Sequence, residues 1–123
     1  ISQMLRPNGR FVMVEFHPLL WMFDESFSVM KYPYSRKEPY VMEEESYTEN
    51  GANVRHKTVT WSYGLSNIVQ GLLHNDLLLT HFGEHNLSPF NLFGNMKESN
   101  GMYRIDGKEH LFPLLFSVVA YKK

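Results

Sequence analysis

Between residues 65 and 75 the apolar side chains fall at Leu65, Ile68, Val69, Leu72 and Leu73, while Ser66, Asn67, Gln70 and His74 take the opposite side. Spacings of three and four residues are the period of an amphipathic helix with one buried stripe, so the sequence predicts a helix lying on a sheet. Each stripe residue contributes about 1.5 to 3 kcal/mol when fully buried. Ser62 or Ser66 is placed to cap its start, and Asn75 to end it in the left-handed conformation. The opening of the chain has another pattern. Pro7, Asn8 and Gly9 are turn residues, and Phe11, Val12, Met13 and Val14 are apolar at successive positions. An unbroken apolar run is the mark of a strand covered on both faces, which predicts an internal, parallel strand. Residues 1–5 then read as the last turn of a preceding helix. Leu77, Leu78, Leu79 and Phe82 mark a further strand, and residues 111–121, with small Ser117 and Ala120, a long closing strand that Lys122 and Lys123 simply leave.

The rest of the chain is less regular. Leu19, Leu20, Trp21, Met22 and Phe23 are enough for one or two helical turns. From there to about residue 60 the composition shifts to tyrosines, charges and prolines, as in an insertion rather than a core. Partial alternation over 39–47 and 53–63 flanks Thr48, Glu49, Asn50 and Gly51, and an Asn-Gly pair between alternating runs predicts an antiparallel ribbon. Glu43, Glu44 and Glu45 read as a solvated face. Residues 89–107 form a turn-rich connection, and no internal repeat is visible.

Composition narrows the function classes. With 43% hydrophobic and 15% aromatic residues, 123 residues can bury a core as one small domain or part of a larger one. A formal net charge of -1 provides no cationic field for a phosphate backbone, so nucleic acid is not an expected partner. The absence of cysteine excludes thiol chemistry and thiolate metal sites and is compatible with a cytoplasmic location. No apolar run reaches the roughly 18 residues needed to span a bilayer, so no membrane association is expected.

The order strand, insertion, helix, strand, connection, closing strand resembles the C-terminal half of the class I S-adenosylmethionine-dependent methyltransferases. Leu5, Arg6, Pro7, Asn8, Gly9, Arg10 and Phe11 resemble that family's turn into its fifth strand. Glu15 to Pro18, Trp61 to Leu65, Glu84 with His85, and Leu114 to Ala120 resemble a bacterial small-molecule subgroup. The resemblance implies an α/β, Rossmann-like fold with local strand order five, seven, six, the last strand antiparallel. Its strands would lie at about 10–17, 77–84 and 111–121, with 19–61 as a β-ribbon or lid on the substrate side. It also implies that the cofactor-binding half precedes Ile1. None of Gly9, Gly51, Gly64, Gly71, Gly83, Gly94, Gly101 and Gly107 forms a G-x-G-x-x-G loop behind an apolar strand. S-adenosylmethionine is therefore expected as the parent protein's cofactor, with no tight binding to this chain, which is expected to be inactive alone.

Open α/β sheets place ligands at the carboxyl ends of their strands, which draws notice to His17 as a catalytic candidate that orients or deprotonates a methyl acceptor; the alternative is a histidine that caps the next turn. Glu15 is a candidate substrate contact, and needs a partner if it is buried. Trp21, Tyr34 and Trp61, with Tyr32 and Tyr40, supply aromatic surface for a lid over a small-molecule acceptor. His81 and His85 on a strand would lie about 13 Å apart along the chain, too far for one ion, so no metal is expected. Two other readings remain: a non-enzymatic module that self-associates through an exposed sheet edge or face, and a small β-rich ligand carrier, which the helix between strands disfavours.

Overall fold

A computed structural model describes residues 1–24, 26–45, 55–111 and 113–123. Its centre is a three-stranded sheet made of β1 (Arg10–Phe16), β4 (Leu77–His85) and β7 (Leu115–Lys122), in the order β1-β7-β4. The closing strand lies between the other two and is antiparallel to both, so β1 and β4 run in the same direction. Two hairpins stand apart from this sheet: β2 (Tyr40–Glu45) with β3 (Arg55–Thr60), and β5 (Lys97–Ser99) with β6 (Met102–Arg104). Among the described residues there is one α-helix, α1 (Leu65–Leu73), which precedes β4.

One face of the sheet carries the main core. Leu72, Leu77, Phe116, Val118 and Ala120 are buried together, with Leu5, Phe11, Met13, Leu65, Ile68 and Leu79 against them. The helical stripe is narrower than its periodicity predicts: Leu65, Ile68 and Leu72 join the core, whereas Leu73 is 46% exposed. Among the described residues β1 is an edge strand, the unpaired edge and open apolar face that the self-associating reading expects of this chain, and no parallel neighbour covers it. Its partner among the described residues is β7, antiparallel, and Val12 and Val14 on its second face are 55% and 60% exposed. An apolar run tolerates two-sided burial without requiring it, and here only alternate residues meet α1's layer.

Local chemistry explains the element ends. Gly9 donates to the Arg6 carbonyl across a turn in which Asn8 has φ 61°, and a Cβ at Gly9 would lie 2.7 Å from that oxygen. Neither Ser62 nor Ser66 caps α1. Its N-cap is Gly64, and the Leu65 amide donates to the Tyr34 hydroxyl at 3.2 Å. The Tyr34 ring lies where a Gly64 side chain would be, 2.6 Å from the Cβ position, so only glycine admits it. At the other end Asp76, not Asn75, takes the left-handed conformation with φ 59°; the Asn75 amide group instead donates to the Gly71 carbonyl at 2.7 Å. The last strand begins at Leu115 rather than 111, after a turn closed by Leu111 on the Lys108 carbonyl and Pro113, which has no amide hydrogen to offer a ladder. Lys122 does not simply leave the core: its ammonium donates to the Ser2 and Leu5 carbonyls of the opening 3₁₀ turn, Ser2–Met4, tying the first residues to β7.

The ribbon forms as expected, with Glu45 opposite Arg55, while the proposed Asn50-Gly51 turn lies outside the described residues. The hairpin at 97–104 was not expected. It turns at Asn100 and Gly101, both with positive φ, as a two-residue primed hairpin turn requires. It covers a second core of Leu20, Phe27, Met96 and Leu114, with Phe16, Phe23, Phe93, Tyr103 and neighbours packed against it. The start of the segment read as an insertion is thus packed. Phe27 is buried with φ 55°, held by the loop that Asp24 closes. Backbone amides of Val29 and Ser28, then the Ser26 hydroxyl, donate to the Asp24 carboxylate and keep its pKa well below the usual carboxylate range.

Tyr34→Phe removes the acceptor of the first helical amide and should lower unfolding free energy by about 1 kcal/mol. Gly64→Ala displaces the Tyr34 ring and should cost about 1 to 3 kcal/mol. Urea denaturation of both variants checks this; equal stability to the native chain would show that Tyr34 does not cap α1.

Candidate functional site

Because β1 and β4 run the same way, their carboxyl ends share one rim, bridged by the start of β7. His17 follows β1 there. Its amide donates to the Leu114 carbonyl at 2.9 Å, and the Leu114 amide donates to the His85 carbonyl at 2.7 Å, which pins the ends of β1, β7 and β4 together. The His17 ring is buried, edge-on to Phe116 with centroids 6.4 Å apart. Its Nδ1 accepts from the Leu19 amide at 3.2 Å, and its Nε2 lies 3.0 Å from Glu84 Oε1. A ring nitrogen that accepts a backbone N–H carries no proton, so in the neutral ring the proton sits on Nε2 and is donated to Glu84. His17 therefore both caps the 3₁₀ turn Pro18–Met22 and holds a carboxylate at the rim.

Glu84 is half exposed and, with His85, Asn86, Leu87, His110, Leu111 and Pro113, lines an open groove of about 540 Å³. The groove's far wall is fixed by hydrogen bonds: Asn86 donates its side-chain amide to the Glu109 carbonyl at 2.8 Å. The Glu109 carboxylate accepts from its own backbone amide and that of Gly107, which lowers its pKa. The arrangement offers a carboxylate held by a buried imidazole, two further imidazoles and apolar walls. It suits a small molecule that brings an N–H or O–H to Glu84.

The other predicted site residues are placed differently. Glu15 is exposed and accepts from the adjacent Phe16 amide at 2.8 Å, so it bears no buried-charge cost and needs no partner across the crevice. Trp21 is 53% exposed and meets Phe16 edge-on at 6.1 Å. Tyr34 spends its hydroxyl on α1, as above. Trp61 is 51% exposed in the link from β3 to α1. Tyr32 and Tyr40 pack edge-on at 5.6 Å, with the Arg36 guanidinium over the Tyr40 ring. Of these residues, His17 alone is tied to Glu84. Glu84 enters the sequence reading only through the resemblance of Glu84 with His85 and without a site role, since it lies 67 positions from His17 and only the β1-β7-β4 pairing unites them. Among the described residues no group of three or more His, Cys, Asp or Glu is arranged to hold a metal, and no helix is long and apolar enough to cross a membrane.

No family model and no curated protein matches the sequence. The fold is similar to a crystal structure described as a "putative S-adenosylmethionine dependent methyltransferase" from Listeria monocytogenes, with a TM-score of 0.55 and 16% identity. The match covers 99% of this chain and 51% of the other, so the chain spans about half the length of that structure. At this identity the likeness concerns the fold: a small mixed α/β unit of methyltransferase-like architecture.

Proposed function

We propose that this chain is the substrate-side part of an S-adenosylmethionine-dependent methyltransferase acting on a small molecule, within a Rossmann-like sheet. The observation that carries the reading is the rim. Two strands of one direction, separated by an antiparallel closing strand, deliver His17 and Glu84 to the carboxyl edge where open α/β sheets bind ligands. The fold likeness to a structure about twice as long supports it.

In this reading Gly9 and Gly64 take no part in holding the cofactor. Gly9 and Gly64 are filled by the Arg6 carbonyl and the Tyr34 ring, and the first amide of α1 is already bonded to Tyr34. When bound, S-adenosylmethionine supplies an activated methyl group. This chain's residues then hold the acceptor: Glu84 accepts a hydrogen bond from the acceptor's N–H or O–H and takes that proton as the methyl group is transferred, while His17 fixes the carboxylate.

A second reading rests on β1, which is an edge strand among the described residues and leaves Val12 and Val14 exposed on its second face; both features favour self-association of the isolated chain.

Titration calorimetry is expected to show no saturable binding of S-adenosylmethionine to the 123-residue chain, and saturable binding to a protein carrying it behind an N-terminal cofactor-binding half. In that longer protein Glu84→Gln should lower methylation by about 100-fold or more while leaving cofactor affinity intact. No cofactor binding by the longer protein would overturn the reading. For the isolated chain, sedimentation velocity at high concentration is expected to show a dimer or larger species; a strict monomer would refute the second reading.

A further inference from the structure

The face of the sheet turned away from α1 holds a cluster centred on Gly83, which shares only His85 with the groove at the rim. His81, Gly83 and His85 alternate onto that face of β4, and Gly83 stands opposite Ser117 of β7. The register shift between Leu79 and His81 sets this phase. Seen only as backbone, the two histidines are about 13 Å apart. Their side chains cancel that separation by leaning toward each other over the glycine. The position a Cβ would take on Gly83 lies 3.1 Å from His81 Nε2, 3.4 Å from His85 Nε2 and 3.1 Å from Ser117 Oγ. His85 Nε2 is also 2.8 Å from Ser117 Oγ. Any side chain at residue 83 would occupy the point on which these three polar atoms converge. Both imidazoles are exposed, so the spot is open to an ion from solvent.

The geometry points to a binding site for one divalent transition-metal ion above Gly83, held by His81 Nε2 and His85 Nε2. To hold an ion at the usual coordination distance of about 2.0 to 2.1 Å the two exposed rings must turn further inward, and His85 Nε2 must exchange its hydrogen bond with Ser117 Oγ for the ion. Each Nε2 gives its lone pair to the ion while the ring proton resides on Nδ1, and the Ser117 hydroxyl holds a water that completes the shell. Two imidazoles with water select the nickel, copper and zinc group over magnesium or calcium, which prefer all-oxygen sites. Nothing here depends on methyl transfer.

Zinc is the probe. Calorimetry on the 123-residue chain at neutral pH is expected to show one site for Zn²⁺ and none for Mg²⁺. His81→Gln and His85→Gln should each weaken Zn²⁺ by at least about tenfold, consistent with the loss of one of two protein ligands. Gly83→Ala, which keeps both histidines but fills the point between them, should also weaken it, and His74→Gln on α1 should not. Zn²⁺ should raise the thermal unfolding midpoint of the native chain but not of the folded His81→Gln variant. Absence of Zn²⁺ binding to the native chain, or equal binding by the native, His81→Gln and His85→Gln chains, would overturn the assignment.

Discussion

The structure depends on the antiparallel pairing of β7 with neighbours on both sides. Phe116, Val118 and Ala120 project from this strand into the main core, all 0% exposed, and α1 closes over them. The same two ladders fix the relation of β1 to β4, which do not touch as partners. Removing β7 would separate the two carboxyl ends and leave His17 and Glu84 unconnected. Burial of three side chains on one strand thus decides where a histidine and a carboxylate 67 residues apart can meet.

That scaffold divides the chemistry between two faces and a rim. On the covered face, the ring of Phe116 supports His17, whose two nitrogens are committed to a turn amide and to Glu84. A fully partnered imidazole serves better as a holder of the carboxylate than as a free base, so Glu84 is the group presented to the groove. On the open face the absence of a side chain at Gly83 lets His81 and His85 approach each other. The second core, built by the 3₁₀ turn, the Asp24 loop and the β5/β6 hairpin, stiffens the rim from below through Leu114 and Phe16.

Features governed by local chemistry were legible in the sequence: the Pro7-Asn8-Gly9 turn, the helix at Leu65, the strand at Leu77 and the alternation of the β2/β3 ribbon. Features decided by distant partners were not. The helix start is capped by a tyrosine hydroxyl 31 residues upstream, where local reasoning looks to the nearest serine. Four apolar residues in β1 do not reveal which of its faces α1 will cover. The late start of β7 follows from a turn at Lys108 and Leu111 that periodicity alone overlooks. The Asn100-Gly101 hairpin did carry a readable signal, obscured because its strands are only three residues each. At the site, His17 was visible from its place after a strand, but Glu84 required the strand order, and the convergence of His81 with His85 required side-chain directions that a rise per residue does not contain.

Native-state hydrogen exchange resolved by residue tests the role of β7 most directly. Amides paired on two sides and covered by the main core open only with the whole molecule. The account predicts that amides from Phe116 to Tyr121 are the slowest in the chain and those of the β2/β3 ribbon markedly faster. Exchange in β7 as fast as in the ribbon would contradict it.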